Sequence, residues 1–217
     1  MAEVKPRRRY RSQRRGQQAA ATRLAIREAA RQLFIERGYA ATTIEAIARE
    51  ARVAAVTVYS TFGSKKAVLM NVIDVSLVGD EAPIPLLERE GPREVAAESD
   101  QRRQVAMFAA QIAEVMERVS PLFEVLRNAA PADPEIEGLL ATLLRGRLAG
   151  MRRLVEAVAR NGPLREAPSV EAAAETAWTL SSPEVHRLLT VRLGWSKARY
   201  ARWLEDTVAA ALLPPQA

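Results

Sequence analysis

The sequence predicts an all-α protein in two parts, a three-helix head near the N-terminus and a larger helical body behind it. Three observations predict it. Apolar residues recur at spacings of three and four through most of the chain, capping residues and prolines punctuate that pattern, and no segment shows the alternation of a half-buried strand. Of the 217 residues, 48% are hydrophobic and 27% charged, with 10 glycines and 12 prolines, the balance of a chain that buries a core. The absence of cysteine excludes disulfides and thiolate metal sites. The first basic residues are not followed by an apolar stretch and a cleavage site, and no run of about 18 apolar residues occurs, so neither secretion nor a membrane partner is expected. A cytoplasmic location is.

Residues 1–18 lack apolar periodicity and are expected to form a disordered basic arm that orders on a partner. From Thr22 a helix is expected through Arg37, with Leu24, Ile26, Ala30, Leu33 and Phe34 on its apolar face and Gly38 in the position that ends it. Thr42 or Thr43 caps a short second helix whose buried stripe is Ile44, Ile47 and Ala48. After a tight turn at Ala51 to Val53, a third short segment runs from Ala54 to Thr61. Gly63 and Ser64 then break and recap the chain into a fourth helix ending near Leu77. The head is expected to span 22–68 and the body 69–217.

Between Gly79 and Asp100 the proline-, glycine- and acid-rich sequence reads as a domain junction, with Leu86 to Arg89 as a turn of helix. Beyond it, Val105, Phe108, Ile112, Val115 and Val119 mark a helix that Pro121 is expected to end, with a shorter one over Leu122 to Asn128. Pro134 suits the first turn of a long helix reaching about Arg160, with a stripe from Ile136 to Val158. Ser169, Ser182 with Pro183, and Ser196 each start a further helix, the last ending before Pro214.

Charge is spread unevenly. Residues 1–18 hold seven basic side chains against Glu3, residues 22–66 hold eight against four, and residues 67–217 hold 17 against 21. The first 18 residues therefore equal the whole net charge of +6. Such asymmetry points the N-terminal end at a polyanion.

Two short helices joined by a three- to four-residue turn are the geometry of helix-turn-helix DNA binding, though helix pairs of this kind occur in many helical proteins. The residues go further. The stretch from Ala25 to Leu69 resembles the N-terminal domain of the tetracycline-repressor (TetR) family. The likeness includes Leu33-Phe34, Gly38-Tyr39, Thr42-Thr43, Ile47-Ala48, Val53, Thr57-Val58-Tyr59, Phe62 and Ser64-Lys65. The stretch from Thr176 to Leu213 is similar to the C-terminal end of one large subgroup of that family.

The resemblance implies a homodimeric regulator, usually a repressor, that binds a palindromic double-stranded DNA operator and responds to a small-molecule effector held by the helical body. It implies that Thr43, Tyr59 and Lys65 hold phosphates. Base reading would fall to Ala54, Ala55, Val56, Thr57 and Ser60, a set without the Arg, Asn or Gln that pair bidentately with guanine or adenine. Such a helix is expected to read thymine methyls and groove shape. Arg7, Arg8, Arg9 and Arg11 are expected to enter an adjacent minor groove. Arg52 departs from the family, standing where glycine is usual at a position that often needs positive φ. The turn is either strained and tolerated, or the strain is offset by a phosphate contact.

Met107, Phe108, Met116, Phe123 and Trp178 are candidates to line an effector pocket, although apolar residues at helical spacing also serve as plain core. Trp195 and Trp203, with Tyr200 and Leu204, are expected to pack among the last helices or at a dimer seam. The lone histidine, His186, has no nearby second ligand and reads as a packing or surface residue rather than a metal or catalytic one. No catalytic triad can be assembled and no glycine-rich phosphate loop occurs, so no enzyme, metal or cofactor is expected. Two other classes fit the charge pattern less fully: a nonspecific polyanion binder driven by the arm, and a helical interaction protein that ignores DNA.

Overall fold

Helices ordered by their caps build the computed structural model, which describes residues 7–215 except 81, 83 and 166–168 and contains no strand among the described residues. The order is α1 (Arg7–Ala41), α2 (Ile44–Glu50), α3 (Ala55–Phe62), α4 (Lys65–Val78), α5 (Glu90–Ala97), α6 (Gln101–Ala129), α7 (Pro134–Arg160), α8 (Val170–Leu180), α9 (Pro183–Arg187) and α10 (Lys197–Leu212). A single 3-10 turn at Leu86–Glu88 precedes α5, and a π-helical turn at Leu188–Arg192 follows α9. Side-chain caps start α2, α6, α7, α8, α9 and α10 from Thr43, Asp100, Asp133, Ser169, Ser182 and Ser196. Each satisfies an amide that has no partner inside its helix.

The chain divides into two compact units, Met1–Asp74 and Val75–Ala217, so the division falls inside α4. The first unit packs Ile26, Ala30, Leu33 and Phe34 of α1 with Ile44 and Ile47 of α2, Val58 of α3, and Val68, Leu69, Val72 and Ile73 of α4, all buried. In the second, α6 lies along α10 and α7 along α8. One apolar cluster there gathers Val105 and Phe108 with Met151, Leu154, Val155, Tyr200 and Leu204, and another gathers Met116, Val119 and Phe123.

Three expectations change. The arm expected to be disordered is helical from Arg7, continuous with α1. Residues 7–18 have no breaker besides Gly16, and arginine and glutamine, which make up most of them, are good helix formers, so propensity carries the helix beyond its apolar face. Residues 1–6 lie outside the described residues.

Pro121 does not end a helix, because α6 runs through it as 29 residues. The missing amide and the ring clash disfavour this by about 3 kcal/mol. Burial of Leu122, Phe123, Val125 and Leu126 on the far side works the other way, at about 1.5–3 kcal/mol for each fully buried side chain of this kind. The separate helix expected over Leu122 to Asn128 is its continuation.

The segment expected to be a junction folds with the body. α5 buries Val95, whose carbonyl accepts from Gln104 Nε2 at 2.8 Å, and Asn161 Nδ2 donates to Glu98 O at 2.7 Å and Gln104 Oε1 at 3.0 Å. Upstream, the Arg89 guanidinium grips both carboxylate oxygens of Asp80 and donates to the carbonyls of Ala82 and Ile84. That contact holds the Asp80 carboxyl down at about 2.

Candidate nucleic-acid interface

The head is assembled by backbone polar groups that leave one helix face free. Gly38, at φ 76, turns the chain out of α1. Thr42 follows fully buried, and its Oγ1 reaches the carbonyls of Gly38 at 2.8 Å and Leu33 at 3.2 Å, latching the turn. Thr43 then caps α2 by accepting from Ala46 N at 3.1 Å.

The end of α2 is a Schellman motif. Arg52 N donates to Arg49 O at 3.2 Å and Val53 N to Ala48 O at 2.9 Å, which requires a left-handed residue between them. That residue is Arg52, at φ 56, among the described residues the only one besides glycine with positive φ. Left-handed geometry costs a non-glycine residue about 1–2 kcal/mol. The Arg52 side chain is exposed.

α3 is anchored by Val58, which is fully buried, and presents Ala54, Val56, Tyr59 and Ser60 to solvent. Val56 is 71% exposed and Tyr59 48%, high values for such side chains. Ala55 and Thr57 are half-buried, and the Thr57 carbonyl accepts from Ser60 Oγ and Thr61 Oγ1. Of the candidate base readers, Ala54, Val56 and Ser60 thus share the open face with Tyr59, and Ala55 and Thr57 flank it.

Lys65 is placed differently from a free phosphate clamp. Its Nζ donates to Tyr39 O at 2.8 Å and lies 4.1 Å from the centre of the Tyr39 ring, which stacks on Phe34. It fastens the start of α4 to the end of α1. Arg23, which sequence reasoning did not single out, sits 5.0 Å from the centre of the Phe62 ring and braces the end of α3. Of Arg7, Arg8, Arg9 and Arg11, the backbone alone is described, and it is helical.

Residues 26–72 match the sequence model of the bacterial regulatory proteins, tetR family. That stretch holds α2, α3 and most of the helical head. No curated protein matches the sequence. Among solved structures, the chain is similar to SmeT in complex with triclosan, at 22% identity and a TM-score of 0.70, covering 89% of this chain and 92% of that one. Another SmeT structure, the repressor of the Stenotrophomonas maltophilia multidrug efflux pump SmeDEF, aligns at 21% identity and a TM-score of 0.61 over 88% and 90% of the two chains. PfmR from Thermus thermophilus, a TetR-family transcriptional regulator, aligns at 20% identity and a TM-score of 0.64 over 84% and 96%. The likeness in fold to these three proteins covers 84–89% of the chain.

In the body, the five pocket candidates separate. Phe108 is buried, with Met107 and Trp178 packed against its cluster, whereas Met116 and Phe123 belong to the second cluster with Val119. Between α7, α8 and α10 lies a polar group that periodicity passed over. Arg147 of α7 donates from Nη2 to the carbonyls of Trp178 and Ser181, each at 3.1 Å, with its guanidinium carbon 5.3 Å from the centre of the Trp178 ring. Burial pushes its pKa down to about 10. A signal existed in the sequence: Arg147 falls three after Leu144 and four before Met151, inside the apolar stripe.

His186 packs, as expected. It is buried, its Nδ1 lies 2.8 Å from Ser120 Oγ, and its ring meets Tyr200 edge-on at 4.8 Å. Desolvation lowers its pKa. Tyr200 and Leu204 are fully buried, and Trp203 contacts both Trp195 and Tyr200, at 6.2 and 6.0 Å between ring centres. Among the described residues no helix is long and apolar enough to cross a membrane.

Proposed function

We propose that this protein is a ligand-responsive repressor that binds a palindromic operator as a homodimer through α3. The observation that carries the reading is the open face of α3, where Val56 and Tyr59 stand in solvent on a helix held from behind by Val58 and from before by the α2 turn. A B-DNA major groove about 12 Å wide admits such a helix. Val56 and the alanines meet thymine methyls, and Tyr59, Ser60 and Thr43 meet phosphates.

The helical arm alters how arginines 7, 8, 9 and 11 take part. An α-helix with its side chains is about 10–12 Å across and does not enter a minor groove about 6 Å wide. The arm instead runs along the phosphates, adding affinity and salt dependence more than base reading.

Dimerisation is supported by Leu188, Val191 and Leu193, which are 57%, 59% and 61% exposed around the π-helical turn, a patch of the kind that marks an interface. Effector control is supported by α4, which begins in the head and ends in the body. Its last carbonyls are gripped by body arginines: Arg118 donates to Ser76 O at 2.8 Å, and Arg89 to Val78 O at 3.4 Å. An effector that prefers a body arrangement with α4 shifted favours heads that do not fit DNA. A DNA partner accords with the cytoplasmic, non-enzymatic role proposed.

Genome-wide footprinting with purified protein tests the reading. A palindromic footprint with half-sites about 10 bp apart, or a multiple, is expected of a two-fold dimer. Uniform protection without a preferred site would leave a nonspecific polyanion binder, and no protection an interaction protein.

A further inference from the structure

Three buried hydrogen-bond donors in the body end on nothing. Among the described residues, Arg147 Nη1, Trp178 Nε1 and the Tyr200 hydroxyl have no partner, although each atom is closed from solvent. Folded proteins pair more than about 90% of such groups, so three from neighbouring helices call for an explanation. α7 supplies Arg147, α8 Trp178 and α10 Tyr200, and the three are linked. The guanidinium lies over the indole at 5.3 Å, and Trp178 packs against the apolar cluster that contains Tyr200.

We propose that this site binds an organic carboxylate with an apolar remainder, whose oxygens accept from Arg147, Trp178 and Tyr200. The inference rests on the reading of the body as the effector-binding part and names the chemical class of that effector.

The donor chemistry decides the class. A guanidinium and an indole only donate, so the occupant must bring acceptors. Among the described residues the guanidinium makes no direct ion pair: Glu184, which favours its charge, is paired with Arg127. A buried cation left so is unfavourable, and a monoanion balances it. The neighbourhood is apolar: Tyr200 shares a buried cluster with Phe108, Met151 and Leu154, and Trp178 packs against that cluster. His186 offers no charge of either sign, since burial favours its neutral form and Ser120 occupies its Nδ1.

The full-length protein is titrated with benzoate and octanoate, and with their neutral counterparts benzamide and octanamide, by calorimetry and thermal unfolding. The acids are expected to bind and raise the unfolding midpoint, and the amides to bind at least ~10-fold more weakly. Arg147→Met keeps the stem, removes the charge and is expected to weaken acid binding ~10- to 100-fold, the range for a lost hydrogen bond to a charged group. Tyr200→Phe is expected to bind acids ~10-fold more weakly while unliganded protein melts no lower than wild type, because an unpaired buried hydroxyl contributes no stability. A hydroxyl with a structural role would instead lower the midpoint by several degrees.

Amides that bind as tightly as acids, variants that bind acids as wild type does, a Tyr200→Phe protein that melts well below wild type, or no binding of either acid would each overturn the proposal. Neutral ligands that bind and release the operator would leave the effector reading standing while this one fails. Acids that bind through Arg147 without affecting the operator complex would uphold the site and sink the effector reading.

Discussion

Head and body break the same rule in opposite directions. The head places Val56 and Tyr59 in water, whereas the body buries Arg147, Trp178 and Tyr200 with donor atoms unused. Apolar surface outside and polar groups inside are the two departures from ordinary burial that carry information. Where local rules fail in an otherwise consistent fold, a partner is the usual physical reason. The partner proposed for the head brings methyl groups and phosphates, and the one proposed for the body brings acceptors and negative charge.

The contrast is broken most severely at α3. Val56→Glu sets a carboxylate on the face proposed to meet DNA, where like charges cost several kcal/mol. Loss of specific DNA binding by at least ~100-fold is expected, with an unfolding midpoint near wild type because the position is 71% exposed. Retained binding in a gel-shift titration would move the interface away from α3.

Next in size is the arm. Deleting residues 1–15 is expected to flatten the slope of log K against log salt by several units, since each phosphate neutralised contributes about −0.9. An unchanged slope would confine DNA contact to the head proper.

Arg52→Gly relieves the left-handed residue and is expected to stabilise the protein by about 1 kcal/mol, raising its midpoint by roughly 2–4 °C. Unchanged DNA affinity would identify tolerated strain; weaker affinity would show that Arg52 meets a phosphate.

The smallest effect is acid sensitivity in the body. His186 has its folded pKa below the ordinary value of about 6.5, so the unfolded chain takes up the proton first. Stability is expected to fall as pH drops from about 6.5 to the folded pKa, and to lose nothing more from this residue below that. His186→Gln, compared by thermal unfolding across that range, should flatten the dependence.

Much of the head was legible in the sequence because its determinants are local. The cap at Thr43, the reversal at Gly38 and the strained Arg52 each depend on residues within about six positions of one another, and the 3.6-residue period assigned the buried faces. Less of the body was legible. A proline signal at Pro121 and a junction signal over 79–100 were correct as local preferences, and both were overridden. The side chains beyond Pro121 had a core to enter, and Val95 and Gln104 drew α5 onto the body.

By itself, then, the sequence determined that the chain is helical, where most helices start, and that its head resembles that of a family of bacterial regulatory proteins, because caps, periods and motifs act over short separations. Only the tertiary structure decided that the basic arm continues α1, that α6 passes through Pro121, and that Arg147, Trp178 and Tyr200 stand in one neighbourhood with donors open. These last residues lie on three helices spanning more than fifty positions. Packing brings such groups together and sets what they lack, and no spacing along the chain records it.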